Sequence, residues 1–238
     1  MNTHALRASA FDDRLAAKLI DALLTQTQLA VVDVAAHAGL ATTGGLQAET
    51  RRLFGCSPTQ LRRNSLPASR HTQRASEISV DFPVTGAYHF GWFFDYLRTR
   101  ALQGIEEVRG RCYRRRVSEA GKPPVWLEVS QHGDGLRVML PLTQECAHML
   151  LSRVVRLFDL RVDGDLIDRT LLGAPPHYLT QSVQQAPGLR VPGAWDGFET
   201  AVRAVLGQQV SVARGTELAN RMVEAYGEGD FPVPHQLR

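Results

Sequence analysis

The chain has 238 residues, enough for about one or two domains with cores of their own, and a 44% hydrophobic share typical of globular rather than disordered proteins. The formal net charge is only +3, from 27 basic and 24 acidic side chains, so the total identifies no partner and any acidic ligand must meet a local patch. No apolar run approaches the roughly 20 residues of a membrane helix, and the start, MNTHALRASAFDD, lacks a basic-then-apolar secretory pattern, which predicts a cytoplasmic protein with no membrane partner.

The first segment runs to about Ser65. Leu15, Leu19, Ile20, Leu23 and Leu24 recur at helical spacing, Val31 to Leu40 reads as a second helix ended by Gly39, and a third should follow from Thr42 or Thr43. Helix, glycine turn, helix is the order of a helix-turn-helix, whose second helix enters a major groove. Gly44 and Gly45 fall early in that helix, each costing about 1 kcal/mol relative to alanine, and predict a frayed start. Between Glu49 and Glu77 no acidic residue occurs, while Arg51, Arg52, Arg62, Arg63, Arg70, Arg74 and His71 do. Such a run either neutralises DNA phosphates or is a solvated basic linker. Asn64 to Ser76, NSLPASRHTQRAS, has the composition of a linker.

The second segment alternates strand and helix signals. Ile78, Val80 and Phe82 occur at period two, Trp92 to Leu102 reads as a helix, and the Arg109–Arg116 cluster alternates as a strand with a wet charged face. Two strands, Val125–Val129 and Leu136–Leu140, flank a hairpin turn at Asp134-Gly135. A helix from about Thr143 to Phe158 should bury Met149, Leu150, Val154, Val155 and Leu157. Cys56, Cys112 and Cys146 are an odd, widely spaced set without a C-x-x-C pair, which argues against a disulfide scaffold, a zinc site or an iron-sulfur cluster, and no metal or cofactor is expected. They serve packing, unless Cys56 is a reactive thiol.

The third segment, WDGFETAVRAVLGQQVSVARGTELANRMVEAY (Trp195–Tyr226), reads as an apolar helix, a polar break and a second helix. Ala201, Val202, Val205 and Leu206 form the first stripe after Asp196 and Glu199; Gly207 stops that helix and Ser211 caps the next, which places Val212, Leu218, Met222 and Val223 on one face. The break is an exposed polar corner.

Two resemblances rest on these stretches. DVAAHAGLATTGGLQAETRRLFGCSPTQLRR (Asp33–Arg63) resembles the C-terminal helix-turn-helix of AraC-type transcription regulators, which implies close helix contact at Ala35 and Ala36, a turn at Gly39 and closure by FGCSP. It assigns Thr42, Thr43, Gln47 and Arg51 to the DNA-facing side and Arg52, Arg62 and Arg63 to phosphates; a plain three-helix cap is the competing reading. Only the second half of that family's DNA-binding domain is matched.

From Ala87 to Glu228 the chain resembles DNA-3-methyladenine glycosylase II, through YHFGWFFDYLRTRALQGIEEV, RLFDLRVDGDLI and APGLRVPGAWDGFETAVRAVLGQQVSVA. The resemblance implies an antiparallel sheet with helices on one face, then an all-helical domain whose corner pushes a wedge into the duplex where a damaged base is flipped out. Gln209 stands at the inserting position, with Gln208 beside it and Ser211 as cap and phosphate donor. Tyr96 matches a base-pocket position in that family, or is a buried core aromatic.

Removing a base needs a carboxylate near the sugar carbon where positive charge develops. In the resembling family it follows a Gly-rich turn of the L-P-G-I-G type, which this sequence lacks; Asp196 and Asp230 have no such context, so no catalytic residue is assigned. Methyl transfer to a Pro-Cys-His-Arg cysteine, a Ser-His-Asp site and phosphate-binding glycine loops are also absent.

These readings combine into an α+β fold: residues 1–65 as half an AraC-type helix-turn-helix domain, 66–76 as linker, 77–186 as the glycosylase N-terminal domain, and 187–238 as the beginning of its helical domain. The sequence is expected to be a piece cut at both ends, its partners double-stranded DNA and a missing C-terminal glycosylase portion, its oligomeric state open. As a family member it would act in base excision repair of alkylated DNA and in transcription regulation, a hydrolase of N-glycosyl bonds. As it stands it is expected to bind DNA without excising bases. A regulator alone, or a non-functional remnant, are the competing readings.

Overall fold

The computed structural model describes residues 3–64, 76–118, 123–143, 146–173 and 178–237. Its elements are α1 (Thr3–Gln26), α2 (Val31–His37), α3 (Thr43–Phe54), α4 (Pro58–Asn64), β1 (Glu77–Pro83), α5 (Phe90–Arg98), β2 (Glu106–Arg109), β3 (Cys112–Val117), β4 (Val125–His132), β5 (Gly135–Pro141), α6 (Ala147–Leu157), α7 (Gly164–Gly173), α8 (Tyr178–Gln185), α9 (Gly197–Leu206) and α10 (Val212–Tyr226). The strands form one five-stranded antiparallel sheet in the order β1-β5-β4-β3-β2. The architecture is α+β, as the sequence patterns predict. No helix among the described residues is long and apolar enough to cross a membrane. Residues 65–75 lie outside the described residues, and with them most of the expected linker, Arg70, His71 and Arg74.

The chain divides into two compact units, Met1–Asp81 with Val138–Ser152, and Phe82–Arg137 with Arg153–Arg238. In the first, the α1 stripe Leu15, Leu19, Ile20, Leu23 and Leu24 is buried with Val34, Ala35 and Leu46. Gly39 supplies a left-handed turn (φ 75°) after α2, closed by bonds from Gly39 N to Ala36 O and Leu40 N to Ala35 O. α3 then starts at Thr43 without a break, although fraying was expected there. The Thr42 hydroxyl accepts from Gly45 N at 3.0 Å, so the two glycines occupy a capped first turn rather than a helix interior. FGCSP closes α3 for identifiable reasons: Gly55 is left-handed (φ 70°), Ser57 and Gln60 form a reciprocal cap, and Pro58 opens α4. At β1, an edge of the sheet, the Gln26 amide donates to Ser79 O (2.9 Å) and accepts from Ser79 N (2.8 Å), pairing strand groups that would otherwise face water.

In the second unit Phe93, Phe94, Tyr113 and Phe158 form an aromatic core, with Phe93 stacked on Phe158 at 5.1 Å. The α5 helix runs from Phe90 to Arg98 instead of Trp92 to Leu102. His89 accepts from Trp92 N at 3.1 Å and starts it early, and the Thr99 hydroxyl donates to Tyr96 O and helps end it. Leu102 is buried from the following loop, in a cluster with Ile105, Ala219 and Val223, so its apolar spacing reflects tertiary packing rather than helix. The β4–β5 turn is Gly133-Asp134, one residue earlier than expected, because Gly133 takes φ 56°. Gly135 lies in β5 itself, where a Cβ would sit 2.1 Å from Phe82 O.

Two expectations about apolar faces need correction. Helix α6 spans Ala147–Leu157 and buries Leu150, Leu151, Val154 and Val155, but Met149 is 49% exposed on its other side. On α9 and α10, Ala201, Val205 and Val212 face solvent, Val205 at 70%, while Val223 is buried as expected, together with Glu199 and Ala219.

Candidate nucleic-acid interface

The polar corner is built by two capped helices. The Asp196 carboxylate accepts from Phe198 N (2.9 Å) and Glu199 N (3.0 Å) and opens α9; the Ser211 hydroxyl accepts from Arg214 N (3.3 Å) and opens α10. Asp196 is thereby committed to a cap. Between the helices, Gly207 has an ordinary φ of −83°. The close approach is made at Gly215, where an added Cβ would lie 3.3 Å from the Gly207 Cα. Every residue from Gly207 to Arg214 is exposed, and Gln209 holds a left-handed φ of 57°.

Beside the corner is a cavity of about 470 Å³ lined by Tyr96, Arg100, Trp195, Thr200, Ala204 and Ser211, among others. Tyr96 is half-buried, and the Arg100 guanidinium lies over its ring at 3.8 Å. One face of that ring is therefore already occupied by a cation. Gln208 and Gln209 do not line the cavity, whereas Val210, Ser211 and Val212 do.

Four ionised side chains line part of the same cavity, and sequence reading missed them as a group. Glu106 on β2 stands directly opposite Arg115 on β3, and Glu199 and Arg203 are one turn apart on α9. The Glu106 carboxylate accepts from Arg115 (3.0 Å), Arg203 (2.7 Å) and the Tyr113 hydroxyl (2.8 Å). Glu199 accepts from Arg203 (2.5 Å) and from both terminal nitrogens of Arg115. Two carboxylates and two guanidiniums balance, which lets Glu106, Arg115 and Glu199 be almost wholly withdrawn from water while Arg203 keeps 26% of its side chain exposed. Burial opposes the Glu106 charge, but Arg203 and Arg115 overcome it and hold its carboxyl below the usual carboxylate range. Burial, then Glu106, push the Tyr113 hydroxyl well above the usual phenol range. Trp195 covers the arrangement, with Arg115 at 4.8 Å from its ring centroid.

Arg115 thus corrects the expectation that the arginines of this alternating strand lie on its wet face. Period two puts it on the face of Tyr113 and Val117, both buried, and Arg115 is itself 4% exposed. The signal was present in that alternation and in the Glu199–Arg203 spacing of four; the partner Glu106 is supplied by strand pairing.

In the first unit, Thr43, Gln47 and Arg51 lie four residues apart on an exposed face of α3, opposite buried Leu46 and Thr50. Thr42 is exposed as the α3 cap, and Arg63 is exposed on α4. Arg52 is held by Asp13 (2.7 Å) and Glu49 (2.5 Å). Arg62 is half-buried and donates to the carbonyls of Leu24 (3.1 Å) and Leu29 (2.8 Å), satisfying chain ends left open after α1.

Residues 79–196 match the family model of the AlkA N-terminal domain. The chain is 35% identical over 207 residues to a probable bifunctional transcriptional activator/DNA repair enzyme AlkA of Mycobacterium tuberculosis, covering 86% of this chain and 41% of that protein. It is 33% identical over 155 residues to DNA-3-methyladenine glycosylase 2 of Escherichia coli, covering 61% of this chain and 50% of the relative. The chain therefore spans half or less of the length of these relatives. Among solved structures, a 3-methyladenine DNA-glycosylase from Archaeoglobus fulgidus shares the fold with a TM-score of 0.54 at 16% identity, over 66% of this chain and 57% of the other. The chain is therefore similar to AlkA and DNA-3-methyladenine glycosylase 2 over part of their length, and its residues 79–196 match the AlkA N-terminal domain.

Proposed function

We propose that this chain binds duplex DNA at sites where a base has left the stack, within a bifunctional regulator and alkylated-base glycosylase line that serves base excision repair in the cytoplasm. The observation that carries the reading is the corner Gly207–Ser211: an exposed, uncharged loop between two capped helices, beside a cavity with Tyr96 and Trp195 in its wall. Gln209 enters the duplex, Gln208 and Ser211 flank it, and Tyr96 faces the displaced base once Arg100 moves aside. Residues 77–186 act as the glycosylase N-terminal domain and 187–238 as the beginning of its helical domain.

The exposed α3 face supports a second DNA contact of the AraC helix-turn-helix type within residues 1–65. Thr43, Gln47 and Arg51 would meet base edges and Arg63 a phosphate, whereas Arg52 and Arg62 must first give up the partners they hold. These 238 residues contain no turn of the L-P-G-I-G type with an aspartate after it, and Asp196 is occupied as a cap, so they bind DNA without releasing bases. The experiment incubates the purified chain with methylated DNA and measures freed bases, alongside its binding to duplexes with and without an abasic analogue. Tighter binding to the abasic duplex and no base release above a protein-free control is the expected result; base release would overturn it.

A further inference from the structure

Three described residues other than glycine have left-handed backbone: Asp159, Gln209 and Glu228. Asp159 closes α6, where Leu160 N bonds Val155 O at 3.0 Å, and Glu228 lies between two glycines in the turn after α10. Gln209 has neither excuse. The corner places its glycine at Gly207, where φ is ordinary, and leaves a long polar side chain at the position glycine would relieve. A strained, exposed residue of this kind points to a requirement for its side chain. From Ala204 to Ala213 there is no charged residue, so the amides of Gln208 and Gln209 supply the corner's polarity together with the Ser211 hydroxyl already used as a cap.

We infer that Gln209 is a binding residue whose carboxamide hydrogen-bonds, within a duplex vacancy, to the base left without a partner, whichever base that is. The inference rests on the insertion reading above and adds to it a chemical role. A carboxamide carries an acceptor oxygen beside an N–H donor. Each DNA base has, on the edge exposed by loss of its partner, an adjacent donor and acceptor: the amino group and ring nitrogen of adenine and cytosine, the carbonyl and ring N–H of guanine and thymine. Turning the amide over matches all four. A hydrocarbon wedge would fill the same volume and leave those groups unpaired in a site closed to water.

The test is equilibrium binding of the full chain to duplexes containing a tetrahydrofuran abasic analogue opposite A, C, G, T or difluorotoluene, an apolar isostere of thymine. Wild type should bind the four natural duplexes within about threefold of one another, and the isostere about tenfold more weakly than thymine. Gln209→Leu should bind thymine and isostere alike, and Gln209→Gly should do the same while unfolding no earlier than wild type, because glycine relaxes the backbone. If wild type prefers abasic over intact duplex but ignores the isostere, the hydrogen-bonding role falls and insertion stands. If neither wild type nor variants prefer the abasic duplex, insertion itself falls and this inference with it.

Discussion

Glu199→Gln should destabilise the fold far more than its single charge suggests. The carboxylate accepts from both terminal nitrogens of Arg115 and from Arg203, and it is 5% exposed. Gln keeps the shape and one acceptor oxygen but removes the charge, so Glu106 must balance two guanidiniums by itself. Three charge-assisted bonds at about 1.5–3 kcal/mol each would sum beyond what such changes cost, since the glutamine oxygen retains part of them. Breaking a buried ion pair from one side costs about 3–5 kcal/mol, and we adopt the lower part of that range. With a urea dependence of about 2 kcal/mol per molar, the unfolding midpoint should fall by roughly 1.5–2 M. Adding Arg203→Met restores charge balance around Glu106 and Arg115 and should recover at least about 1 kcal/mol, a coupling readable from the double-mutant cycle. A midpoint drop below about 0.5 M, or no recovery in the double variant, would refute the view that these four charges form one dehydrated unit.

Three further outcomes follow from the same structure. The depressed Glu106 carboxyl contributes stability that is fully present above its unfolded pKa, about 4.3, and is lost as pH falls through its lower folded value; Glu106→Gln should therefore show a flatter loss of stability in acid, measured by thermal melts from neutral pH downward. Gly135→Ala places a Cβ 2.1 Å from Phe82 O and should cost about 3 kcal/mol or more by forcing β5 from β1, whereas Gly133→Asn, at a left-handed turn with open space, should be nearly neutral; chemical denaturation of both variants decides. Arg63→Ala should weaken binding to intact duplex and lower the slope of affinity against salt by about one unit; an unchanged slope would remove Arg63 from the phosphate contacts.

Elements with strict local periodicity were legible in the sequence. The Leu15–Leu24 stripe, the Ile78-Val80-Phe82 alternation and the cap at Ser211 each follow from residues within one turn or one strand. The errors fall where a residue answers to a distant partner. Leu102 mimics a helical position but is buried by Ala219 and Val223, and Gly135 mimics a turn but yields space to Phe82. Arg115 sits in a run of arginines, and only the pairing of β3 with β2 shows that Glu106 awaits it. The α7 and α8 helices left no clear pattern beforehand. The expected DNA-facing residues separate in a similar way: spacing of four on α3 put Thr43, Gln47 and Arg51 on one exposed face, but nothing local revealed that Arg62 would be drawn to the carbonyls of Leu24 and Leu29.

The proposed function requires the Gly207–Ser211 corner to enter DNA at a vacancy. The most direct measurement titrates the 238-residue chain onto a duplex carrying 2-aminopurine next to an abasic analogue, in parallel with the intact duplex, at one salt concentration. Insertion predicts tighter binding to the abasic duplex and a change in 2-aminopurine fluorescence that Gln209→Gly abolishes. Equal affinity for both duplexes with unchanged fluorescence would contradict it.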